Sequence, residues 1–246
     1  AESQDVKVFC SRTTWLLARM LLLEKQEKPS EQAIEFWRKA GMDKPMLSEK
    51  SRNKPFNFSD GVAYIPLGFE AIIQGQELHL GGKKWRVEIG KGHAPDHVTL
   101  WGLDTPLVFS GDQVIPGISS NLGVYPTEPL LDTVGAWIET CNRFKKLSRT
   151  EHVVLPGHKI PFTGLELRLE QLISNHEEAL SRIQELLSRK KSTAVDLFSA
   201  IFNKRIKKSE YGLALAEAVG HINYLKPRGK LTWTTRDDGA VVYSLR

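Results

Sequence analysis

The sequence has little cysteine and no long uninterrupted apolar run, and both features narrow what the protein can be. Cys10 and Cys141 are far apart and form no CxxC pair, so neither a disulfide framework nor a thiolate zinc site is predicted. The most apolar run, 16–23, contains Arg19 and is too short to span a bilayer. No basic segment followed by an apolar stretch and a cleavage site begins the chain. We therefore expect a cytoplasmic protein that makes no membrane contact.

The overall composition is that of a soluble globular protein. Apolar residues make up 41% and charged residues 26% of the 246 positions, which excludes wholesale disorder. The net charge of +5 is compatible with an anionic substrate, a nucleic-acid backbone or a solvated surface. Much of the positive excess lies late in the chain, in 189–191 and 204–208. The charge alone selects no function.

The first part of the chain predicts a short strand followed by a helical excursion over 11–57. A strand is expected at Val6–Cys10, and Ser11 is a suitable cap for a helix that runs to about Lys25. Pro29-Ser30 opens a second helix, which Gly41 ends. We expect the excursion to close with a polar linker over 48–57.

The middle of the chain predicts a mixed α/β domain. Apolar residues alternate on both sides of a Gly81-Gly82 turn, as in a β-hairpin. Two further strands and a third, buried one are expected at Val98–Leu103, Leu107–Ser110 and Val153–Leu155. Amphipathic periodicity predicts helices at Leu130–Leu147 and Gly164–Ser188.

The end of the chain has the element order of a winged helix. Helices are expected at Thr193–Phe202 and Ser209–Leu225, before a hairpin formed by 231–234 and 240–245. We expect a catalytic-type α/β domain over 1–174 and an α+β winged-helix-like domain over 175–246.

Three metal-competent side chains follow predicted strands, each next to glycine. His93 follows Gly92, Asp112 follows Gly111, and His158 follows Gly157. Imidazole and carboxylate groups are common cation ligands, although each residue taken alone is as well explained by a surface loop or a turn. Their repetition at strand ends is what favours a shared site, because α/β proteins build sites there.

Four segments resemble the later motifs of metallo-β-lactamase-fold hydrolases, in order and spacing: GHAPDH (92–97), SGDQVIP (110–116), ISSNLGVYPTEP (118–129) and LPGHKIPFTG (155–164). The order of elements is similar to the branch that carries a C-terminal winged helix. The resemblance implies an αββα sandwich and a binuclear site that usually holds zinc, with iron or manganese as alternatives. It also implies a metal-held hydroxide that attacks a small-molecule ester, thioester or lactone.

The resemblance assigns roles to individual residues. His93 would bind the first metal, Asp112 would bridge both metals and His158 would bind the second. Asp96 and His97 would lie next to the ligands and orient them without binding the metals. Residues of the following loop would border the substrate, namely Ile118, Asn121 and Tyr125.

The family's HxHxDH motif, which supplies the remaining ligands, is absent, and no HxH sequence occurs in the chain. Each zinc needs about four donors, so we expect weak metal binding and no activity from the chain alone. The start at Ala1-Glu2, without methionine, suggests that an N-terminal part bearing the motif is missing. We expect that segment or a second chain as a partner, and a homodimer is an alternative.

Two other functions stay open at this point. An RNA-directed metallo-nuclease is supported by the basic tail, yet Ser209–Leu225 contains no Lys or Arg, so nucleic acid is not the favoured partner. A non-catalytic binding or assembly module is the third reading. His152, His176 and His221 belong to no recognisable pattern and are left without a role.

Overall fold

The N-terminal part of the fold begins as the sequence predicts. The computed structural model describes residues 7–202 and 204–246. Strand β1 (Phe9–Cys10) leads into helix α1 (Arg12–Leu23), and the Ser11 hydroxyl accepts a hydrogen bond from the Thr14 N–H, which confirms the expected cap. Val6, where the expected strand begins, lies outside the described residues.

The helical excursion contains one more helix than expected. Helix α2 (Glu31–Lys39) starts after the Ser30 cap and ends before Gly41, whose φ of 92° is in the left-handed region that glycine adopts readily. Helix α3 (Lys44–Arg52) follows. The linker expected over 48–57 is therefore wrong for its first half. The missed start signal is Asp43, whose carboxylate accepts from the Met46 N–H.

A five-stranded sheet carries most of the first half of the chain. Its strands are β3 (Glu77–Leu80), β4 (Lys83–Gly90), β5 (His97–Gly102), β6 (Leu107–Gly111) and β7 (Val153–Pro156). They lie in sequence order and pair antiparallel except for β6 and β7, which are parallel. A separate parallel pair joins β1 to β2 (Glu70–Ala71). The predicted hairpin, the three further strands and the mixed α/β class are confirmed.

The two faces of the five-stranded sheet are packed differently. Ile72, Leu78 and Val87 form a buried apolar cluster on one face, and partly buried Ile89 and Leu100 extend it. On the other face the ring of Trp101 packs edge-on against Phe144, in helix α4 (Thr133–Leu147). Glu88 is buried there and forms an ion pair with Arg143.

The second half of the chain is mainly helical. Helix α5 (Leu165–Arg189) is followed by α6 (Phe198–Ile201), α7 (Tyr211–Leu225) and the hairpin of β8 (Leu231–Thr235) and β9 (Val241–Leu245). The helix expected over 193–202 is present over a shorter span, because a 3-10 turn (Val195–Leu197) continues directly into α6. The Thr193 N–H donates to the Asp196 carboxylate and the Asp196 N–H donates to the Thr193 hydroxyl, a reciprocal pair of hydrogen bonds that caps the start of this helical segment.

The chain forms two compact units that are not continuous in sequence. Of the described residues, the first comprises 7–25, Phe56–Ser120 and Arg143–Leu169, and the second comprises Gln26–Pro55, Asn121–Asn142, 170–202 and 204–246. The boundary between 174 and 175 and the winged-helix assignment stay predictions. Within the described residues no helix is both long and apolar enough to cross a bilayer.

Candidate metal centre

The topology of the first unit places three strand ends at one edge of the sheet. Strands β4 and β6 are each antiparallel to β5, and β7 is parallel to β6. The carboxyl ends of β4, β6 and β7 therefore meet at the same edge, where α/β proteins build their sites. His93, Asp112 and His158 follow these three ends; we call them the strand-end group.

Asp112 is the centre of the strand-end group. One of its carboxylate oxygens, Oδ2, lies 3.7 Å from His93 Nε2 and 3.4 Å from His158 Nε2. The exposed fractions of the three side chains are 27% for His93, 28% for Asp112 and 67% for His158. The structure thus brings the three predicted residues together in a group that solvent reaches. Their roles as ligands stay a prediction.

The second oxygen of Asp112 shows that the group suits a cation. Oδ1 is buried, and no described residue forms a hydrogen bond with it. A buried acceptor of this kind is costly unless something else satisfies it. The backbone comes close at this point, because a Cβ added to Gly157 would overlap Asp112 Oδ1. The Ser120 hydroxyl donates to the Asp112 carbonyl and holds the loop. Imidazole and carboxylate donors with an unsatisfied oxygen fit a zinc-type metal.

His97 and Asp96 lie beside the strand-end group. The His97 ring centroid is 5.8 Å from that of His93, and a Cβ on Gly111 would overlap His97 Nε2. Burial, and then the neighbouring His93, lowers the pKa of His97 to about 4, although Asp112 and the Ser110 backbone oppose the shift. Asp96 contributes its carbonyl, which accepts from the Thr14 hydroxyl at 2.9 Å. The neutral His97 ring can therefore position its neighbours without adding positive charge.

The three predicted substrate residues fall in different units. Ile118 belongs to the first unit, is half exposed, and its carbonyl accepts from Arg168 at 2.8 Å. Asn121 and Tyr125 belong to the second unit. The Asn121 amide donates to the Glu217 carboxylate at 2.8 Å. Burial, and then Glu217, raises the pKa of Tyr125. Contact of these residues with a substrate stays a prediction.

The second unit contains a cluster that sequence reasoning missed. His176 on α5 meets Glu217 and His221 on α7, and one donor atom from each lies within 4.8 Å of the other two. Among the described residues these three form the one compact group of metal-competent donors, which we call the helix group. The donor atoms of the strand-end group are not all as close together as those of the helix group. This is expected if Asp112 is shared by two metal positions.

Burial controls the charge of the helix group. It lowers the pKa of His176 to about 3 and that of His221 to about 4, and it raises the pKa of Glu217 to about 7. The neighbouring His221 adds to the shift of His176, whereas the Asn121 hydrogen bond opposes the shift of Glu217. Both imidazoles are therefore neutral at pH 7, which is the form that binds metals. The only signal in the sequence is the four-residue spacing of Glu217 and His221.

Comparisons with known families cover most of the chain. A family model described as "Metallo-beta-lactamase superfamily" matches residues 20–158, which is more than half of the chain. A second, described as "Metallo-beta-lactamase-like, C-terminal domain", matches residues 180–246.

Individual relatives agree with the family models. The chain is 26% identical over 163 residues to a probable metallo-hydrolase, YqjP, of Bacillus subtilis strain 168. The aligned region covers 62% of this chain and 48% of that protein. This chain thus spans about half the length of that curated relative. A β-lactamase domain protein from Burkholderia ambifaria is 26% identical with a TM-score of 0.87, over 98% of this chain and 67% of that one. A metallo-β-lactamase family protein from Thermus thermophilus, TTHA1429, is 20% identical with a TM-score of 0.76, over 98% and 72% of the respective chains, and shows the same fold.

Proposed function

Because the chain belongs to the metallo-β-lactamase superfamily, we propose that its strand-end group is part of a metal-dependent hydrolase site for an ester, thioester or lactone. The observation that carries the proposal is the position of Asp112. Its Oδ2 lies within 3.7 Å of one imidazole and within 3.4 Å of another, and its Oδ1 is buried without a hydrogen bond from the described residues.

Each residue of the group has a proposed role. Asp112 would be shared by two cations, His93 would bind the first and His158 the second. Zinc, with iron or manganese as alternatives, would supply an activated water and polarise the scissile carbonyl. His97 keeps a neutral ring beside His93, so it can accept or donate a hydrogen bond at that ligand without repelling a cation.

The donor count indicates that the strand-end group needs further ligands. Two zinc ions require about four donors each, and three side chains cannot provide them. We propose that the remaining donors come from residues outside this sequence, in a further segment of the same protein or in a second chain. The chain alone is then expected to bind metal weakly and to hydrolyse substrate poorly.

Two observations weigh against the RNA-nuclease alternative. In the basic run 204–208, Lys204 is paired with Glu210 at 2.6 Å and Lys208 with Glu49 at 2.8 Å, so part of its charge is already neutralised within the chain. No observation favours the non-catalytic module over the hydrolase. Both alternatives stay predictions.

The first experiment measures zinc uptake by equilibrium dialysis on an untagged protein. We compare the wild-type chain with variants that each remove one donor, His93→Ala, Asp112→Asn and His158→Ala. Each is expected to weaken zinc binding by about tenfold or more, since a ligand matters at least as much as its supporting residues. The matched control is His79→Ala, because His79 is an exposed histidine on β3. Uptake that all three variants retain at the wild-type level would exclude the site.

The second experiment tests whether the remaining donors lie outside this sequence. The protein is purified from its native source, and its intact mass, metal content and hydrolysis of a thioester, a lactone and an aryl ester are measured on one sample. A species heavier than 27.7 kDa, or a stable complex, with about two metals per site and activity is expected. A metal-free, inactive protein of 27.7 kDa would contradict the hydrolase proposal.

A further inference from the structure

The helix group brings together three side chains that can bind one cation. Glu217 and His221 are four residues apart on α7, so they lie on the same side of that helix. His176 comes from α5, and the three donor atoms lie within 4.8 Å of one another. His221 is fully buried and His176 is 4% exposed. Two buried, neutral imidazoles and one half-buried carboxylate have the donor set of known zinc sites.

The hydrogen bonds of His221 leave its other nitrogen available. Its Nδ1 lies 2.9 Å from the Glu217 carbonyl oxygen, which can only accept, so Nδ1 carries the proton and Nε2 has a lone pair. A backbone acceptor on the non-ligating nitrogen is the usual arrangement for a metal-binding histidine, because it fixes the tautomer and the ring orientation.

The spacing of the two rings suits a shared metal. His221 Nε2 lies 3.3 Å from His176 Nδ1. Two nitrogens bound to one tetrahedral zinc at about 2.0–2.1 Å are about 3.3–3.4 Å apart. The same distance also suits a direct hydrogen bond between the rings, so the spacing permits a metal without moving either ring but does not by itself require one.

A second observation concerns His176 itself. Its Nε2 is buried and has no hydrogen-bond partner among the described residues, next to the ring of Trp137 at a centroid distance of 5.0 Å. If His176 donates from Nδ1 to His221, Nε2 is left with an unsatisfied buried lone pair. If Nδ1 binds a cation instead, Nε2 carries the proton beside an aromatic ring. Ligation therefore replaces the unsatisfied lone pair with an N–H group, for which a neighbouring aromatic ring is a weak acceptor.

The carboxylate completes the set. Asn121 donates to Glu217 Oε2 at 2.8 Å and orients the carboxylate. The positive charge of Arg182 contributes to the lowered pKa of His221. Arg182 Nε donates a hydrogen bond to the Ala200 carbonyl at 2.8 Å. A bound cation would favour the ionised form of Glu217, and its one negative charge beside two neutral rings suits a divalent cation.

We propose that His176, Glu217 and His221 bind one divalent transition-metal ion of the zinc class, which joins α5 to α7 and stabilises the second unit. Imidazole with carboxylate selects such ions over magnesium and calcium, which prefer oxygen ligands alone. This site uses none of the residues of the strand-end group.

The test removes the strand-end group so that the helix group is measured alone. The background protein is the untagged full chain with His93→Ala, Asp112→Asn and His158→Ala. Cobalt(II) is titrated into it, and bound cobalt is quantified by dialysis and by its visible absorption, which reports tetrahedral nitrogen and oxygen ligands. We expect one cobalt ion per chain and a higher melting temperature with zinc than with EDTA. A folded background protein that takes up no cobalt overturns the proposal and leaves a hydrogen-bonded histidine pair.

Variants of the carboxylate provide the second comparison. Glu217→Gln keeps the size of the side chain and its hydrogen-bonding ability, and we expect it to weaken cobalt binding at least about tenfold in the same background. The control is Glu177→Gln, because Glu177 is an exposed neighbour of His176 on α5. Circular dichroism verifies the fold of both. Equal binding by the two variants overturns the assignment of Glu217, and the cobalt uptake of the background protein stands as a test even where Glu217→Gln fails to fold.

Discussion

The strand-end group and the helix group contain the same kinds of side chain but differ in how the fold holds them. The strand-end group is partly exposed, and its two histidines approach one oxygen of Asp112 at 3.7 and 3.4 Å. In the helix group the two histidines are buried and Glu217 is half-buried, and the three donor atoms are mutually close. An exposed group with a shared carboxylate suits a site that substrate must reach. Three donors that are close together can hold one ion, which would take a water as its fourth ligand.

The difference also has an energetic side. Donors on loops after strands can be changed with little loss of packing, whereas donors on packed helices are part of the core. The comparison therefore predicts that changes around the helix group affect stability, and that changes around the strand-end group affect metal binding.

The largest expected effect comes from removing the ring that supports His176. Trp137 is fully buried, and Trp137→Ala should lower the free energy of unfolding by about 3–5 kcal/mol. Trp233→Ala is the control, because Trp233 is half exposed and contacts Lys226 from one side; it should cost about 1 kcal/mol or less. Urea denaturation of the metal-free proteins measures both. Similar losses in the two variants would show that the helix group is not embedded in a rigid core.

A smaller effect is expected at the strand-end group, on binding and not on folding. A Cβ at Gly157 would overlap Asp112 Oδ1, so Gly157→Ala should displace the carboxylate and weaken zinc binding by about 10–100-fold. The matched control is Gly68→Ala, because nothing lies within 4 Å of a Cβ at Gly68. Zinc dialysis on both proteins provides the comparison. Unchanged binding by Gly157→Ala would mean that the position of Asp112 does not matter for the metal.

The two groups also show which parts of the molecule sequence reasoning can reach. The hairpin around Gly81-Gly82 and the strands that precede Asp112 and His158 were predictable, because alternation and turn residues are local signals. The strand-end group follows from those signals, since a residue just past a strand end has a known place in the sheet.

The remaining features depend on contacts that no local pattern encodes. His176 is 41 positions from Glu217 and 45 from His221 along the chain, so only the packing of α5 against α7 brings the three together. The missed start of α3 has a different cause, because it depends on one capping hydrogen bond, from the Met46 N–H to the Asp43 carboxylate.

The smallest expected effect is on the pH dependence of stability, at a buried histidine that belongs to neither group. His152 in the first unit is buried, packs against Trp101 and belongs to no compact group of donors among the described residues. Burial, and then Arg149, lowers the pKa of His152, against the opposing effect of Glu151. Its Nδ1 accepts a hydrogen bond from the Arg149 backbone N–H at 3.0 Å, which the protonated ring could not do.

The direction of the pH effect follows from this lowered pKa. Below about pH 6.5 the unfolded chain takes up a proton at His152 before the folded chain does, so the contribution of His152 to stability is present above that pH and is lost as the pH falls. His152→Asn keeps an acceptor and removes the titration. We therefore expect the free energy of unfolding to fall less between about pH 7.5 and about pH 5 in this variant than in the wild type, whereas His79→Asn, at an exposed position, behaves as the wild type. If His152→Asn retains the full pH dependence, the titration of His152 does not cause the loss of stability at low pH. The histidines of the helix group, whose pKa values are also lowered, would then be tested next.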